Sequence, residues 1–314
     1  MALNQIRRNG GGGGKPSPSP KGDSLIEGAV PMYKGDVQVD LETEEPVVVT
    51  IFGPPALGKT HMAFTFPHVA CCDTEMKGEK VWKKFFNKQF PAYHINPKTG
   101  EVESYMWDDV DVGKSRLFHA EDWGDVASFY KNYIDDAGVQ TLMFDSESDM
   151  RVMAENWTQG EVGHKLYSVQ KGAGRVQYRL VYAKLLHILQ TTKRMGKNLV
   201  YVAKSKDKYL DDSLIEFDGL YDGYKKQEFY SGYFLKMCEG VVNEKGEVLY
   251  KDHVFCKVLK CENMEKSKYP PYLIDCSYKG VIEELVRGTE WEGSLDDYIR
   301  EIVGPRMDVL GVQR

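Results

Sequence analysis

An α/β protein with a mostly parallel central sheet and flanking helices is the fold class this sequence predicts, on three observations. Four short apolar runs, residues 47–52, 69–72, 141–144 and 199–203, are nearly continuous instead of alternating, as strands buried on both faces require. Segments of helical spacing lie among them. In residues 125–136, Val126, Phe129, Tyr130, Tyr133 and Ile134 share one face; in residues 175–195, Val176, Leu180, Ala183, Leu186 and Leu189 do. A glycine-bearing turn, "GPPALGKT" at residues 53–60, joins the first run to a helix-compatible segment. Strand, helix, strand in that rhythm implies parallel pairing with helices over both faces.

The elements follow in order. Residues 1–22 contain "NGGGGGKPSPSPKG", which has little to bury and much backbone entropy to lose, so a disordered arm is expected. Residues 23–279 are expected to form the main domain, and 280–314 a short helical tail, either a small lid or an oligomerisation piece. Pro46 precedes the first strand, and the loop from Gly53 opens a helix at Thr60. Residues 116–119 predict a third strand, after which "DWGD" caps the helix of residues 125–136. The run at 141–144 ends on Asp145, and the long helix of residues 175–195 leads through "MGKN" into the strand at 199–203. Beyond Lys204, residues 229–238 and 254–259 predict two strands around the turn "NEKGEV", extending the sheet with antiparallel pairing. An insertion around residues 76–115 is rich in aromatics and turn formers; an added helix with a hairpin near residues 97–100 competes there with an irregular loop.

At 314 residues, 28% charged and with a formal net charge of -6, the chain has the composition of an ordinary soluble protein, not a uniformly basic nucleic-acid coat. Cys71, Cys72, Cys238, Cys256, Cys261 and Cys276 show no repeating metal-ligand spacing, so reduced cysteines and a cytoplasmic location are expected. No run reaches the roughly 18 apolar residues of a membrane span.

"GPPALGKT" fits the full G-x-x-x-x-G-K-[ST] pattern between a strand-like and a helix-like segment, and its residue types suit a phosphate cradle for ATP. Gly53 and Gly58 let the backbone turn closely around phosphate oxygens, with Pro54, Pro55, Ala56 and Leu57 between them and His61 just beyond. The following helix adds the positive end of its dipole. Lys59 is expected to bridge the β- and γ-phosphates, and Thr60 to offer its hydroxyl to Mg²⁺. "TLMFDSESD" carries Asp145 to the sheet's C-terminal edge as the second Mg²⁺ anchor. Ser146 is a helix cap or a site residue. In "CCDTE", Asp73 and Glu75 end a strand expected at the same edge, where either carboxylate can approach the γ-phosphate; capping of the next helix by Asp73 and Thr74 is the alternative. Glu147 is a second candidate for the catalytic base.

The blocks "GPPALGKT", "CCDTE", "TLMFDS" and "LLHILQTTKRMGKNLVYVAKSKDK" together resemble a RecA-like P-loop ATPase, in particular the phage-type ATPases of single-strand annealing and recombination. The resemblance spans residues 47–208. It implies that Glu75, matching the glutamate beyond the second strand in that family, polarises the attacking water, with Lys59 assisting catalysis. It also implies assembly into a ring or filament, work alongside recombination or replication proteins, and host-cell cytoplasm if the chain is phage-encoded. Where such proteins commonly place a Gln or His sensor of the γ-phosphate, this chain has Lys204, a departure that leaves phosphate contact by Lys204 as the expectation. A neighbour's basic residue normally completes the site; Arg194, Lys206, Arg287 and Arg306 are the candidates.

Residues 161–208 hold eleven Lys or Arg against two acidic residues, a local excess in a net-negative protein. Such a surface suits single-stranded DNA, with cations on phosphates and rings stacked on bases. In relatives, loops after the strand matching the run that ends on Asp145 and after the strand matching residues 199–203 line the DNA, which here implies residues 159–175 and 205–224. The candidate contacts are Lys165, Tyr167, Lys171, Arg175, Lys206 and Lys208. A helicase or packaging-type motor, and a nucleotide-gated interaction protein that binds no nucleic acid, are the alternatives.

Overall fold

The computed structural model describes residues 46–86, 93–95, 102–104, 115–166, 173–210, 213–224, 226–288 and 290–314. In chain order the strands are β1 (Val48–Phe52), β2 (Val69–Asp73), β3 (Tyr93–Ile95), β4 (Val102–Ser104), β5 (Arg116–His119), β6 (Thr141–Asp145), β7 (Asn198–Val202), β8 (Lys204–Leu210), β9 (Ser213–Asp222), β10 (Tyr233–Val242), β11 (Val248–Cys261) and β12 (Tyr272–Leu273). The helices that frame the site are α1 (Lys59–Phe64), α2 (Gly78–Phe86), α3 (Trp123–Tyr133), α4 (Glu147–Leu166) and α5 (Ala173–Arg194), with a single turn, α6, at Gln227–Tyr230.

Among the described residues, eight strands form one sheet in the order β12-β11-β10-β1-β7-β6-β2-β5. From β10 through β5 every pairing is parallel, whereas β11 and β12 add on antiparallel. The α/β class with a mostly parallel sheet is therefore as the sequence predicts. The continuous apolar runs have a simple cause. Along β1, Val49 and Ile51 face one core with Met62, Ala63 and Phe64 of α1, while Val48 faces the other with residues of α3, α4 and α5. Both faces are covered, so the apolar residues do not alternate with solvated ones, and the one polar side chain of β1, Thr50, is buried with its hydroxyl hydrogen-bonded to Ser231 and Gln227.

Register aligns the strand ends. Asp73 pairs with Asp145, Asp145 with Val202, and Val202 with Ile51, so β1, β7, β6 and β2 finish at one edge. In open α/β sheets that edge is where ligands bind.

Four local expectations need correction. The helix expected over residues 125–136 begins at Trp123, because the Asp122 side chain accepts from the Asp125 amide at 3.0 Å and caps it, and it ends at Tyr133. The strand expected from residue 229 starts at Tyr233; before it, α6 is held by the buried Gln227 amide, which donates to Thr50 Oγ1 and Ser231 Oγ. The polar loop expected over residues 159–175 is helical up to Leu166 and again from Ala173. Gly160 and Gly163 have low helix propensity, but they continue a helix whose earlier residues Met150 and Ala154 are buried in the core. The loop expected after Lys204 is the antiparallel β8–β9 hairpin.

In the insertion, α2 precedes the short antiparallel pair β3–β4, whose connection at residues 96–101 lies outside the described residues. At the C-terminus, helical turns from Tyr278 to Leu310, partly widened to π pitch, pack back on the sheet. Val281, Ile282 and Leu285 join the core beside α1, and Tyr298, Ile299, Val303 and Met307 pack on Tyr250, Phe255 and Tyr272. No helix among the described residues is long and apolar enough to cross a membrane.

Candidate functional site

After β1, Gly53 takes φ +138°, Ala56 +67° and Gly58 +84°, and these turns fold residues 53–58 back over the sheet edge before α1 begins. At Gly53 the need for glycine is steric as well, since a Cβ there would lie 2.7 Å from the carbonyl oxygen of Met237 on β10. Lys59 Nζ donates to the carbonyls of Gly53 at 2.9 Å and Pro54 at 2.6 Å, which closes the loop and puts a cation at its mouth. Pro55 and Ala56 line the resulting cleft, of about 500 Å³. Leu57 instead packs on the core, Gly58 is the N-cap of α1, and His61 lies on α1 outside the lining.

The two expected metal anchors meet directly. Thr60 Oγ1 donates to Asp145 Oδ2 at 2.7 Å. Burial pushes the Asp145 carboxyl up to about 6; the Thr60 hydrogen bond and Lys59 oppose this, while Glu75 and Asp73 reinforce it. The Thr60 hydroxyl and the Asp145 carboxylate are oxygen donors of the kind a hard divalent cation takes, while no cluster of three or more His, Cys, Asp or Glu that could hold a metal occurs among the described residues.

Asp73, fully buried, both lines the cleft and caps. Its Oδ1 accepts from the Glu75 amide at 3.1 Å and its Oδ2 from the Gly78 amide at 2.8 Å, starting α2. Thr74 stitches β2 to β6: its amide donates to Asp145 O at 2.7 Å and its hydroxyl accepts from the Ser146 amide at 2.8 Å. That stitching turns Glu75 into the cleft, where Lys204 Nζ lies 3.2 Å from one carboxylate oxygen and Lys77 Nζ 3.2 Å from the other. Lys204 also pairs with Asp149 at 2.7 Å. Burial pulls the Lys204 ammonium down, but hydrogen bonds to Asp149 and Glu75 outweigh it and leave the group above the usual lysine range.

Glu147 does not join this group. Its carboxylate is buried on the far side of the Asp145 segment, where Oε2 accepts from Tyr221 Oη at 2.6 Å and Oε1 from the Tyr224 amide at 2.9 Å. Burial raises it to about 7, against the pull of both hydrogen bonds. Placement as the base is thereby corrected, because both oxygens are committed away from the cleft. Ser146 is the helix cap: its hydroxyl accepts from the Asp149 amide at 3.2 Å and donates to the Asp149 carboxylate at 2.7 Å. Sequence reasoning missed Asp149 and Lys77. The spacing of Ser146 and Asp149, three residues apart before a helix, was a capping-box signal for the first.

The expected polymer contacts that fall among the described residues lie on α4, α5 and β8. Lys165 lies near the end of α4 and Arg175 in the first turn of α5, while Tyr167 and Lys171 fall outside the described residues. Lys206 and Lys208 are on β8; Lys206 pairs with Asp222 at 3.2 Å, and Lys208 stands opposite Glu216 in the ladder. Lys206 also lines a second, open cleft of about 1000 Å³ with Arg151, Arg179 and Lys226. Among the candidates for a residue reaching a neighbouring site, Arg194 is exposed at the end of α5 and Arg287 is exposed after the helix that ends at Val286. Arg306 is corrected: it is 7% exposed and lies 3.2 Å from Glu284 inside its own chain.

A family model described as "AAA domain" matches residues 45–228, more than half of the chain. The chain belongs to the AAA domain family. Comparison with curated proteins gives no match. The AAA domain assignment makes the cleft that of an ATP-binding P-loop NTPase, in agreement with the phosphate loop, the Thr60–Asp145 pair and the parallel sheet. The matched AAA domain ends before β10, although β10 pairs directly with β1, so residues beyond the match complete the sheet that carries the site.

Proposed function

We propose that this AAA-domain protein is a Mg²⁺-dependent ATPase that couples turnover to single-stranded DNA in annealing or recombination. One observation carries the catalytic part: Glu75 lies in the same cleft as Lys59 and the Thr60–Asp145 pair. Mg²⁺, when bound, neutralises charge on the phosphates, and Thr60 and Asp145 are the residues to hold it. Lys59 exchanges its bonds to the Gly53 and Pro54 carbonyls for the β- and γ-phosphate oxygens. Glu75 accepts the proton of the attacking water, and Lys204, which holds Glu75 before nucleotide binds, meets charge at the γ-phosphate. Pro54 and Pro55 have no backbone N–H, so within the loop it is Ala56, Leu57 and Gly58 that supply amides at the start of α1.

The DNA part draws support from the excess of Lys and Arg over residues 161–208 and from the hairpin's place at the nucleotide edge. Self-association into a ring or filament belongs to the same reading, with Arg194, Lys206 or Arg287 of one copy completing the site of the next.

The test is ATP turnover with and without single-stranded DNA, with assembly state followed in the same samples. Lys59→Ala is expected to abolish productive nucleotide binding. Glu75→Gln should retain binding and lose about 10²- to 10⁴-fold in rate. Wild-type turnover in both variants refutes the catalytic assignment. Opening of a tailed duplex would make the protein a translocating motor, and absence of any shift with single strands at low salt would make it a nucleotide-gated interaction protein.

A further inference from the structure

We infer that Glu147 and Ser148 clamp the β8–β9 hairpin by both of its roots to the segment that carries Asp145, so that the hairpin's position governs the hold of Lys204 on Glu75. For its effect on turnover this rests on the proposed ATPase reading; the clamp itself does not.

The roots of the hairpin are Lys204, the first residue of β8, and Asp222, the last of β9. Ser148 grips both, accepting from the Lys204 amide at 2.9 Å and donating to the Asp222 carbonyl. Glu147 grips the second root twice, through the Tyr221 hydroxyl and the Tyr224 amide. Between those two donors, Gly223 leaves no room for a side chain, because a Cβ would collide with Glu147 Oε2 and the Tyr221 ring. A buried carboxylate whose oxygens are satisfied by the hairpin root resists any motion that strips them, since an unmet buried acceptor is costly.

The same short segment reaches the cleft in two ways. Asp145, two residues earlier, bonds Thr60, and Asp149, two residues later, pairs with Lys204 Nζ beside Glu75. With one Glu75 oxygen held by the Lys204 ammonium at 3.2 Å and the other by Lys77, the carboxylate is engaged by cations instead of by a water in the cleft, so this contact restrains the base. On the other side, Asp222 pairs with Lys206 at 3.2 Å and with Arg151 at 3.8 Å, Arg151 being closer to Glu155 at 3.0 Å; both cations line the second cleft, whose lining holds Arg179 and Lys226 as well as the acidic Glu155 and Glu228. An anionic strand in that cleft competes with Asp222 for the two cations. It loosens the second root, and through Ser148 it loosens Lys204. Glu147 is thus a positioning residue that acts through the hairpin.

The experiment uses the full chain and compares wild type with Tyr221→Phe, which removes one donor to Glu147 and keeps the ring, and with Gly223→Ala, which wedges the root apart. Amide hydrogen exchange without DNA is the first readout. Exchange in residues 204–210 and 219–222 should rise about tenfold, as expected for the loss of a hydrogen bond to a charged group, with β1 and β6 unchanged. Turnover with and without a thymidine oligonucleotide is the second. Basal turnover should rise and the stimulation ratio fall toward one. Unchanged exchange in both variants overturns the clamp, whatever the ATPase does. Raised exchange with wild-type basal and stimulated rates overturns the link to Glu75. A wild-type protein that ignores DNA counts against the proposed function, while the exchange readout still decides the clamp.

Discussion

Replacing Arg306 by Met separates a structural arginine from one that serves a neighbouring site. Arg306 and Glu284 are each 7% exposed, and Arg306 Nη1 lies 3.2 Å from Glu284 Oε1. The Glu284 oxygens also accept from the Ile274 amide at 3.2 Å and the Asp275 amide at 3.1 Å, tying the C-terminal helices to the segment after β12. Burial raises the Glu284 carboxyl from 4.5 to about 7; Arg306 holds it down, Asp275 pushes it up and the two amides hold it down. Because the folded-state value is the higher one, this group's contribution is fully present below 4.5 and is lost as pH rises through about 7. At about 1.4 kcal/mol per pKa unit, that loss is ~3 kcal/mol by pH 8.

Without Arg306 the carboxyl rises further and the loss steepens. Arg306→Met is therefore expected to cost about 3–5 kcal/mol near pH 8, the usual result of stranding one member of a buried pair. Near pH 5 Glu284 carries its proton in both proteins, and only a packing difference of about 1 kcal/mol should remain. Urea unfolding at pH 5, 6.5 and 8, followed by tryptophan fluorescence, measures this. A stability difference independent of pH refutes the reasoning. So does a variant of wild-type stability whose ATP turnover collapses, which would return Arg306 to a role at a neighbour's site.

Two further outcomes are expected. Gly53→Ala should destabilise more than Gly58→Ala by about 1–3 kcal/mol in denaturant melts, because a Cβ at Gly53 meets the Met237 carbonyl at 2.7 Å while at Gly58 the nearest atom is 4.0 Å away; equal costs would contradict the close approach of β10. Neutralising Lys165, Lys171 and Arg175 together should weaken single-strand binding and lower its log–log salt slope by about 0.7 per lost contact. Superimposable anisotropy titrations for wild type and triple variant would place the strand elsewhere.

The chain by itself determined what local chemistry determines. Short continuous apolar runs bounded by turn residues suit strands covered on both faces, so the parallel sheet was legible at residues 47–52, 69–72, 141–144 and 199–203. Gly53, Lys59 and Thr60 were legible because a phosphate loop is one contiguous segment, and Glu75 because it follows a strand of the same sheet by two residues. Tertiary structure decided everything that depends on partners far apart in sequence. Only the fold places β7 between β1 and β6, and β10 on the other side of β1. Only burial tells Glu147 from Glu75: both follow a strand end by two residues, yet one carboxylate is turned into the cleft beside Lys204 and the other is capped by Tyr221 and Tyr224, more than seventy positions along. Arg306, indistinguishable in sequence from Arg287, is spent on Glu284 for the same reason. Helix α4 escaped notice because Gly160 and Gly163 speak against a helix locally, and its packing on the sheet is a long-range contact that no short window contains.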